Sequence, residues 1–545
     1  MMQPRNVGEV ILRRLAQLGV RHFFANPGTE FVSVIRGFRD LPAGMAPEPV
    51  LAAHELQAVC MAYGAYSATG QVAAVMTHAN VGAANALLGL IAASRMNIPM
   101  IFFAGATSAS EHGAGKRDKL IHWAQEETVS SARDYVKWEA EIRDPAGAHG
   151  LIDRAYAIAM SEPRGPVLIR VARDTLVRED VPTLPETITV QPATAPSPDV
   201  GALASLLDRL QIAERPLLVT NRAGALAENA HRLVAASERH ALSVLTPDDY
   251  YLSFPHNNPL HLGFSQTQAL READLVICLD ADAPWFPLDR GPSDSAFVAH
   301  VGPDPLAEAL SVRGHRGDLF LRSGVEQFLH ALDRSASATA ELLGARRAWA
   351  SRMKPALATP TPSRLNAALV AETVGANLGD RRFLVNELGL PPSRLGLTRA
   401  GSYFRSGASS PLGWGVGFAL GAALAKPGRT PVVVVGDGVA LLSPLLAALA
   451  SATGLRLSCL LVVLNNGGYR SVASTVKEFY SLEGDDLPLT QFPPDLAFER
   501  CADFVNGHGA RVEKAHQFLG AFQTALSFTE REGRPAILNV ILEAP

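Results

Sequence analysis

Two oxygen-bearing side chains stand at the ends of two apolar runs in the C-terminal third of the chain. Asp437 lies in Gly436-Asp437-Gly438, directly after the run Pro431 to Val435. Asn466 lies in Asn465-Asn466-Gly467-Gly468-Tyr469, directly after Leu457 to Leu464. A carboxylate and an amide carbonyl are hard oxygen donors, suited to Mg²⁺ or Ca²⁺ and poorly suited to zinc. Two such side chains do not fill an octahedral shell, so backbone carbonyls, water and the oxygens of a bound ligand must complete it. Glycines at 436, 438, 467 and 468 are expected to leave room for a diphosphate against the backbone. The plainer reading is a strand end followed by a turn, with Asn-Gly as a hairpin signal.

The elements that must position this pair follow from the same stretch. Both runs lack polar alternation, which suits strands buried on both faces of a parallel sheet. Leu441 to Thr453 is rich in Ala and Leu and is expected to be helical, with Gly454 as its stop. Strand, helix, strand is a right-handed crossover, so both strand ends fall on one sheet edge, where open α/β sheets bind ligands.

The N-terminal third repeats the alternation. Val7 to Leu18 reads as a helix stopped by Gly19. Val20 to Phe24 reads as a strand running into Asn26-Pro27-Gly28-Thr29-Glu30, which is turn chemistry, with a helix over Phe31 to Phe38. Val50 to Ala53 is a short strand followed by His54-Glu55 and a helix through Ser67. Val72 to Thr77 is a strand ending in His78, with a helix from Ala83; Met100 to Ala104 and Pro166 to Val171 are further strands. Pro- and Thr-rich connectors at 181–198 and 355–362 mark boundaries. Between them come helices at Val200 to Leu210 and Ala225 to Ser237, and strands at Pro216 to Thr220, Leu275 to Leu279 and Phe297 to Val301. The expectation is an α/β chain of three doubly wound parallel-sheet domains, 1–182, 195–340 and 360–545.

With 545 residues the chain is too long for one core. A composition of 48% hydrophobic and 19% charged residues is globular, and a net charge of −4 gives no electrostatic case for nucleic acid or a membrane surface. Cys60, Cys278, Cys459 and Cys501 show no metal or redox spacing and read as reduced thiols. No apolar run reaches membrane-spanning length, and the first residues read as an amphipathic helix without a signal-peptide core. The expected location is the cytoplasm.

GDG followed by NN after about one helix and one strand resembles the signature of thiamine diphosphate enzymes. NPGTE, HELQAV, MTHANVGAANAL, DYVKW and GPVLIRV are similar, in order and spacing, to the 2-oxo acid decarboxylase and acetolactate synthase superfamily, nearest to the benzoylformate decarboxylases. The resemblance runs over essentially the full length and is densest in the first and third domains. It implies thiamine diphosphate and Mg²⁺ (or Ca²⁺) as cofactors, with Asp437, Asn466 and Gly468 on the metal. It implies a cofactor seat at Asn26, Pro27, Gly28, Glu55, Asn85, Gly415, Val416, Gly436, Asp437, Gly438, Asn466, Gly468 and Tyr469. Glu55 would sit against N1′ of the aminopyrimidine, where a partly buried carboxyl of raised pKa promotes loss of the C2 proton. Val416 would prop the cofactor in its bent form. His78 would handle protons on the reacting carbon, and Thr29 would bind substrate through its hydroxyl. The reaction implied is decarboxylation of a 2-oxo acid to an aldehyde, or carboligation onto a second carbonyl, in a homo-oligomer such as a dimer of dimers.

This chain departs from the benzoylformate decarboxylases in three places. Val439 follows GDG where Ser is common, Thr475 stands where a pocket Phe is found, and Asp280 to Pro287 carries no second catalytic His. His112 is the single histidine where pyruvate decarboxylases have an adjacent pair. Gln125-Glu126 resembles an acetolactate synthase segment instead. The competing readings are therefore an acetolactate synthase-type carboligase, with FAD in the central domain, and a non-catalytic cofactor-binding paralogue.

Overall fold

The computed structural model describes all residues except 1–2, 109, 111, 114–129, 187–189, 266, 309, 311–312, 356–363, 408–409, 485–486 and 544–545. Gln125-Glu126 therefore lies outside the described residues. Among the described residues, seventeen strands form three sheets, and their paired neighbours run parallel.

The first sheet holds β1 (His22–Asn26), β2 (Glu48–Leu51), β3 (Ala73–Thr77), β4 (Met100–Ala106), β5 (Glu139–Ile142) and β6 (Pro166–Ala172), in the order β2-β1-β3-β4-β6-β5. The second holds β7 (Pro216–Thr220), β8 (Ser243–Leu245), β9 (Leu275–Leu279), β10 (Phe297–Gly302) and β11 (Leu319–Arg322), in the order β11-β10-β9-β7-β8. The third holds β12 (Arg382–Glu387), β13 (Tyr403–Phe404), β14 (Thr430–Gly436), β15 (Leu460–Asn465), β16 (His508–Val512) and β17 (Ala536–Ile541), in the order β13-β12-β14-β15-β17-β16. Each order reverses direction, which makes the folds doubly wound. The chain packs as two compact units, one of residues 1–193, 387–389 and 409–545, the other of 194–386 and 390–408.

Several local expectations are corrected. The segment after Asp437 is not one helix. A short helix, Asp437–Leu442, ends at Ser443, and a second runs from Leu445 to Gly454. Pro444 accounts for the break: it lacks an N–H and pushes Ser443 into an extended conformation, ψ 140°. That second helix does end at Gly454, as expected, with the positive φ, 54°, two residues later at Arg456. β15 begins at Leu460, not Leu457. The helix after β3 starts at Ala79, four residues earlier than the apolar pattern suggests, so His78 borders it directly. The short strands β5, β8, β11, β12, β13 and β16 were not foreseen.

One contact within the first unit organises both candidate motifs. The helix Glu55–Thr69 is buried continuously from Leu56 to Tyr66, and so carries no amphipathic stripe. It lies against the helix Gly415–Ala425, which is buried along almost its whole length. A Cβ at Gly64 would come within 1.9 Å of the Phe418 carbonyl oxygen, and one at Gly421 within 1.9 Å of the Met61 carbonyl oxygen. The two backbones touch, which only glycine permits. Tyr63 closes the seam, edge-on to Phe418 with centroids 4.8 Å apart.

Gly421→Val forces these helices apart. Its expected cost is at least the ~1–3 kcal/mol typical of overpacking, read as a lower midpoint in denaturant unfolding. An unchanged midpoint contradicts the contact.

Candidate functional site

The candidate residues fall into two groups, each at the carboxyl edge of a parallel sheet. In the first, β1 pairs with β3 so that Asn26 lies opposite Thr77. This puts the Asn26-Pro27-Gly28 turn beside His78. The Asn26 amide donates to the Ala52 carbonyl at 2.9 Å, which ties the turn to the loop leading into Glu55. That loop is held from its other side: Ala53 N–H donates to Ser451 Oγ at 3.0 Å.

Glu55 opens its helix with a half-buried side chain. Asn85 Nδ2 donates to Glu55 Oε2 at 3.2 Å, so Asn85 has a defined place beside the carboxylate. His54 caps the same helix, its Nδ1 accepting the Leu56 N–H at 3.1 Å. Nδ1 is therefore the nitrogen of that ring without hydrogen.

His78 has a partner that motif reading did not single out. Its Nδ1 lies 2.6 Å from Oε2 of Glu30, and Glu30 is 3% exposed. The other oxygen, Oε1, accepts the Ala79 N–H at 3.1 Å. A carboxylate only accepts, so Nδ1 carries the hydrogen and Nε2 is left as the basic nitrogen. Gly28 completes the fit, since a Cβ there would fall 2.1 Å from His78 Nδ1. Thr29 is exposed at the start of the one-turn helix Thr29–Phe31. The available signal for Glu30 was an acid two residues beyond a Pro-Gly turn.

In the second group Asp437 is 2% exposed and gathers the end of β15. Its Oδ2 accepts the N–H groups of Asn466 at 3.0 Å, Gly467 at 2.8 Å and Gly468 at 3.1 Å; its Oδ1 accepts Gly438 N–H at 2.8 Å. Asn466 Oδ1 is buried and makes no hydrogen bond among the described residues. An orphaned buried amide oxygen beside a buried carboxylate suits a hard divalent cation. The Gly468 carbonyl accepts Arg470 N–H at 2.9 Å, which leaves it a second lone pair. Among the described residues no cluster of three or more His, Cys, Asp and Glu has metal-holding geometry, so a zinc-type donor set is not what this edge offers.

The space beside the glycines is not as expected throughout. Gly436 and Gly467 are open. Gly438, by contrast, faces the Tyr469 ring, 2.9 Å from a built Cβ, and Gly468 faces the Thr490 carbonyl, 2.1 Å away. The 490–492 segment folds back over this loop: Tyr469 N–H donates to Thr490 O, and Phe492 N–H donates to Gly467 O. Tyr469 is 39% exposed and packs edge-on to Phe492, 4.7 Å between centroids. Asn465 is structural. Its amide bonds to Asn539 Oδ1 at 3.1 Å while its Oδ1 accepts Gly467 N–H at 3.1 Å. Gly415 and Val416 begin the helix Gly415–Ala425, and Val416 is buried.

In the second unit, Arg222 follows β7 and pairs with Asp280 at 3.2 Å and Asp282 at 2.6 Å beyond β9. The residues expected to lack a catalytic His thus hold an internal ion pair at the carboxyl edge of that sheet.

The model of the thiamine pyrophosphate enzyme N-terminal TPP binding domain matches residues 5–133, and that of the C-terminal TPP binding domain matches 393–540. Escherichia coli acetolactate synthase isozyme 3 large subunit is 24% identical, covering 99% of this chain and 96% of its own. A Pseudomonas aeruginosa protein named "Probable 2-ketoarginine decarboxylase" is 28% identical, covering 80% of this chain and 78% of its own. The crystal structure of benzoylformate decarboxylase from Polynucleobacter necessarius superposes with a TM-score of 0.80 at 21% identity, over 99% of this chain and 100% of that one.

The Glu30–His78 pair predicts a fixed tautomer. ¹⁵N NMR of histidine-labelled protein should show His78 with hydrogen on Nδ1, and Glu30→Gln should mix in the Nε2–H form. An Nε2–H resonance in the unaltered protein contradicts the pairing.

Proposed function

The chain belongs to the thiamine diphosphate-dependent enzyme superfamily, and from that membership we propose that it is a Mg²⁺-assisted 2-oxo acid decarboxylase. The observation that carries this reading is the buried Glu30 carboxylate fixing the His78 imidazole beside the Asn26-Pro27-Gly28 turn. Releasing an aldehyde requires one proton delivered to carbon and one removed from oxygen. An imidazole held in one tautomer is suited to both.

Thiamine diphosphate, when bound, supplies a nucleophilic carbon and an electron sink for the bond that releases CO₂. The roles of this chain's residues follow from their chemistry. Asp437, Asn466 Oδ1 and the Gly468 carbonyl would hold the divalent cation, and open backbone at Gly436 and Gly467 would face the diphosphate. Glu55, steadied by Asn85, would hold a proton against N1′ of the aminopyrimidine. Val416 would support the bent cofactor. The Thr29 hydroxyl would orient the substrate carboxylate, and His78 Nε2 would move the proton.

The working site would join the Glu55 group of one copy to the Asp437 group of another. Leu51, Val81 and Leu88 near the first group and Leu441, Leu442 and Leu446 near the second are all exposed apolar side chains. A homodimer or a dimer of dimers would cover them.

The second reading is carboligation, favoured by the near full-length match to an acetolactate synthase subunit. At the carboxyl edge of the second sheet Arg222 is paired with Asp280 and Asp282, and we expect no flavin absorbance in the purified protein.

A CO₂-release screen over 2-oxo acids, with Mg²⁺ and thiamine diphosphate and products identified by mass, separates the readings. Aldehyde product is expected; acyloin as main product favours carboligation, and no CO₂ from any acid rejects both. For an accepted acid, Glu55→Gln should lower turnover by about 10²–10⁴-fold with the fold retained. An unchanged rate removes Glu55 from the mechanism.

A further inference from the structure

A second buried carboxylate lies beside the candidate cofactor seat and has no part in the scheme above. Glu387 ends β12 and is 1% exposed. Its Oε1 accepts the N–H groups of Gly413 and of Trp414, the latter at 3.1 Å, and its Oε2 accepts Gly415 N–H at 2.7 Å. These are three consecutive donors at the start of the helix Gly415–Ala425. The first N–H groups of a helix have no partner inside it, and here burial denies them water. Trp414, at the capping position, supplies no side-chain acceptor. Glu387 does that work from a distant strand.

The surroundings leave the task to this group. Gln57 Oε1 lies 2.5 Å from where a Cβ on Gly417 would stand, yet the Gln57 amide makes no hydrogen bond among the described residues. The Trp414 indole nitrogen is likewise buried without one. Burial pushes the Glu387 carboxyl up to about 7, against the opposing pull of the Gly415, Gly413 and Trp414 donors. Holding a carboxylate in such a place costs stability, and a helix start needs no buried acid merely to exist. That cost makes sense if the geometry of this turn matters.

We propose that Glu387 is a positioning residue: by holding Gly413, Trp414 and Gly415 it fixes the turn that presents Val416, and so sets the seat for the aminopyrimidine half of thiamine diphosphate. This rests on the cofactor reading given above. In this role Glu387 acts through the backbone it holds. Removing one acceptor oxygen lets the turn relax, and the seat then no longer matches the bent cofactor.

The test uses full-length protein stripped of cofactor and titrated with thiamine diphosphate at saturating Mg²⁺, followed by calorimetry. Glu387→Gln keeps the size but turns an N–H₂ toward the backbone donors. It should raise Kd at least tenfold and lower kcat, leaving KM for the 2-oxo acid unchanged. Glu387→Asp keeps the charge but withdraws it by one methylene, and should fall between; it also serves if the Gln variant does not fold. A merely structural role would lower the unfolding midpoint of the stripped protein and leave Kd alone in the folded fraction. Equal Kd values in the unaltered protein and in the folded variants overturn the proposal. If the unaltered protein itself binds no thiamine diphosphate, the cofactor reading fails first and takes this inference with it.

Discussion

The Asp437 carboxylate holds the candidate centre together. One oxygen draws in three successive N–H groups, from Asn466, Gly467 and Gly468, across the gap between β14 and β15. Charge-assisted bonds of this kind are stronger than neutral ones, and here they are buried. The loop they gather would otherwise leave the end of β15 with unpaired donors. With it fixed, Asn466 Oδ1 is left inward and without a hydrogen bond among the described residues. The arrangement therefore shapes a loop and leaves a buried amide oxygen without a hydrogen bond among the described residues, which is what the proposed cation site needs. The Tyr469–Phe492 contact and the backbone bonds to 490–492 close the loop from outside.

The other group depends on that geometry through the helix seam. Gly64 and Gly421 bring two backbones into contact, so the helix that starts with Glu55 cannot shift without moving the one that starts with Gly415. Ser451 adds a hydrogen bond from the helix following the Asp437 turn to the loop before Glu55. Acid and imidazole in the first group are in turn oriented by Asn85 and Glu30. Hydrogen bonds and close packing thus set the position of each candidate side chain.

Much of this was legible in the sequence, for identifiable reasons. Apolar runs without alternation, Pro431 to Val435 and Leu457 to Leu464, made β14 and β15 readable as buried parallel strands, because such strands have no solvent face to encode. Gly436-Asp437-Gly438 and Asn465-Asn466 were readable as strand ends because turn residues there directly follow apolar runs. Pro444 was visible too, but the Ala- and Leu-rich stretch around it outweighed it, and the break was missed. Glu30 carried only a weak signal, an acid just past the Pro27-Gly28 turn, and nothing local names His78 as its partner; Glu387 and Ser451 carried none, since each acts on backbone far away in sequence. The short strands β8 and β13 escaped because three and two residues carry no period. The crowding at Gly438 and Gly468 was misread for a related reason: a glycine signals a close approach, but not whether a ligand or the chain itself makes it.

The central claim is that Asp437 and Asn466 hold a divalent cation that tethers thiamine diphosphate. Electron paramagnetic resonance of Mn²⁺ in place of Mg²⁺ tests it directly. Tight Mn²⁺ binding that requires thiamine diphosphate, and is lost in Asp437→Asn, is the predicted result. Mn²⁺ and thiamine diphosphate bound as tightly by the Asp437→Asn protein as by the unaltered one would contradict it.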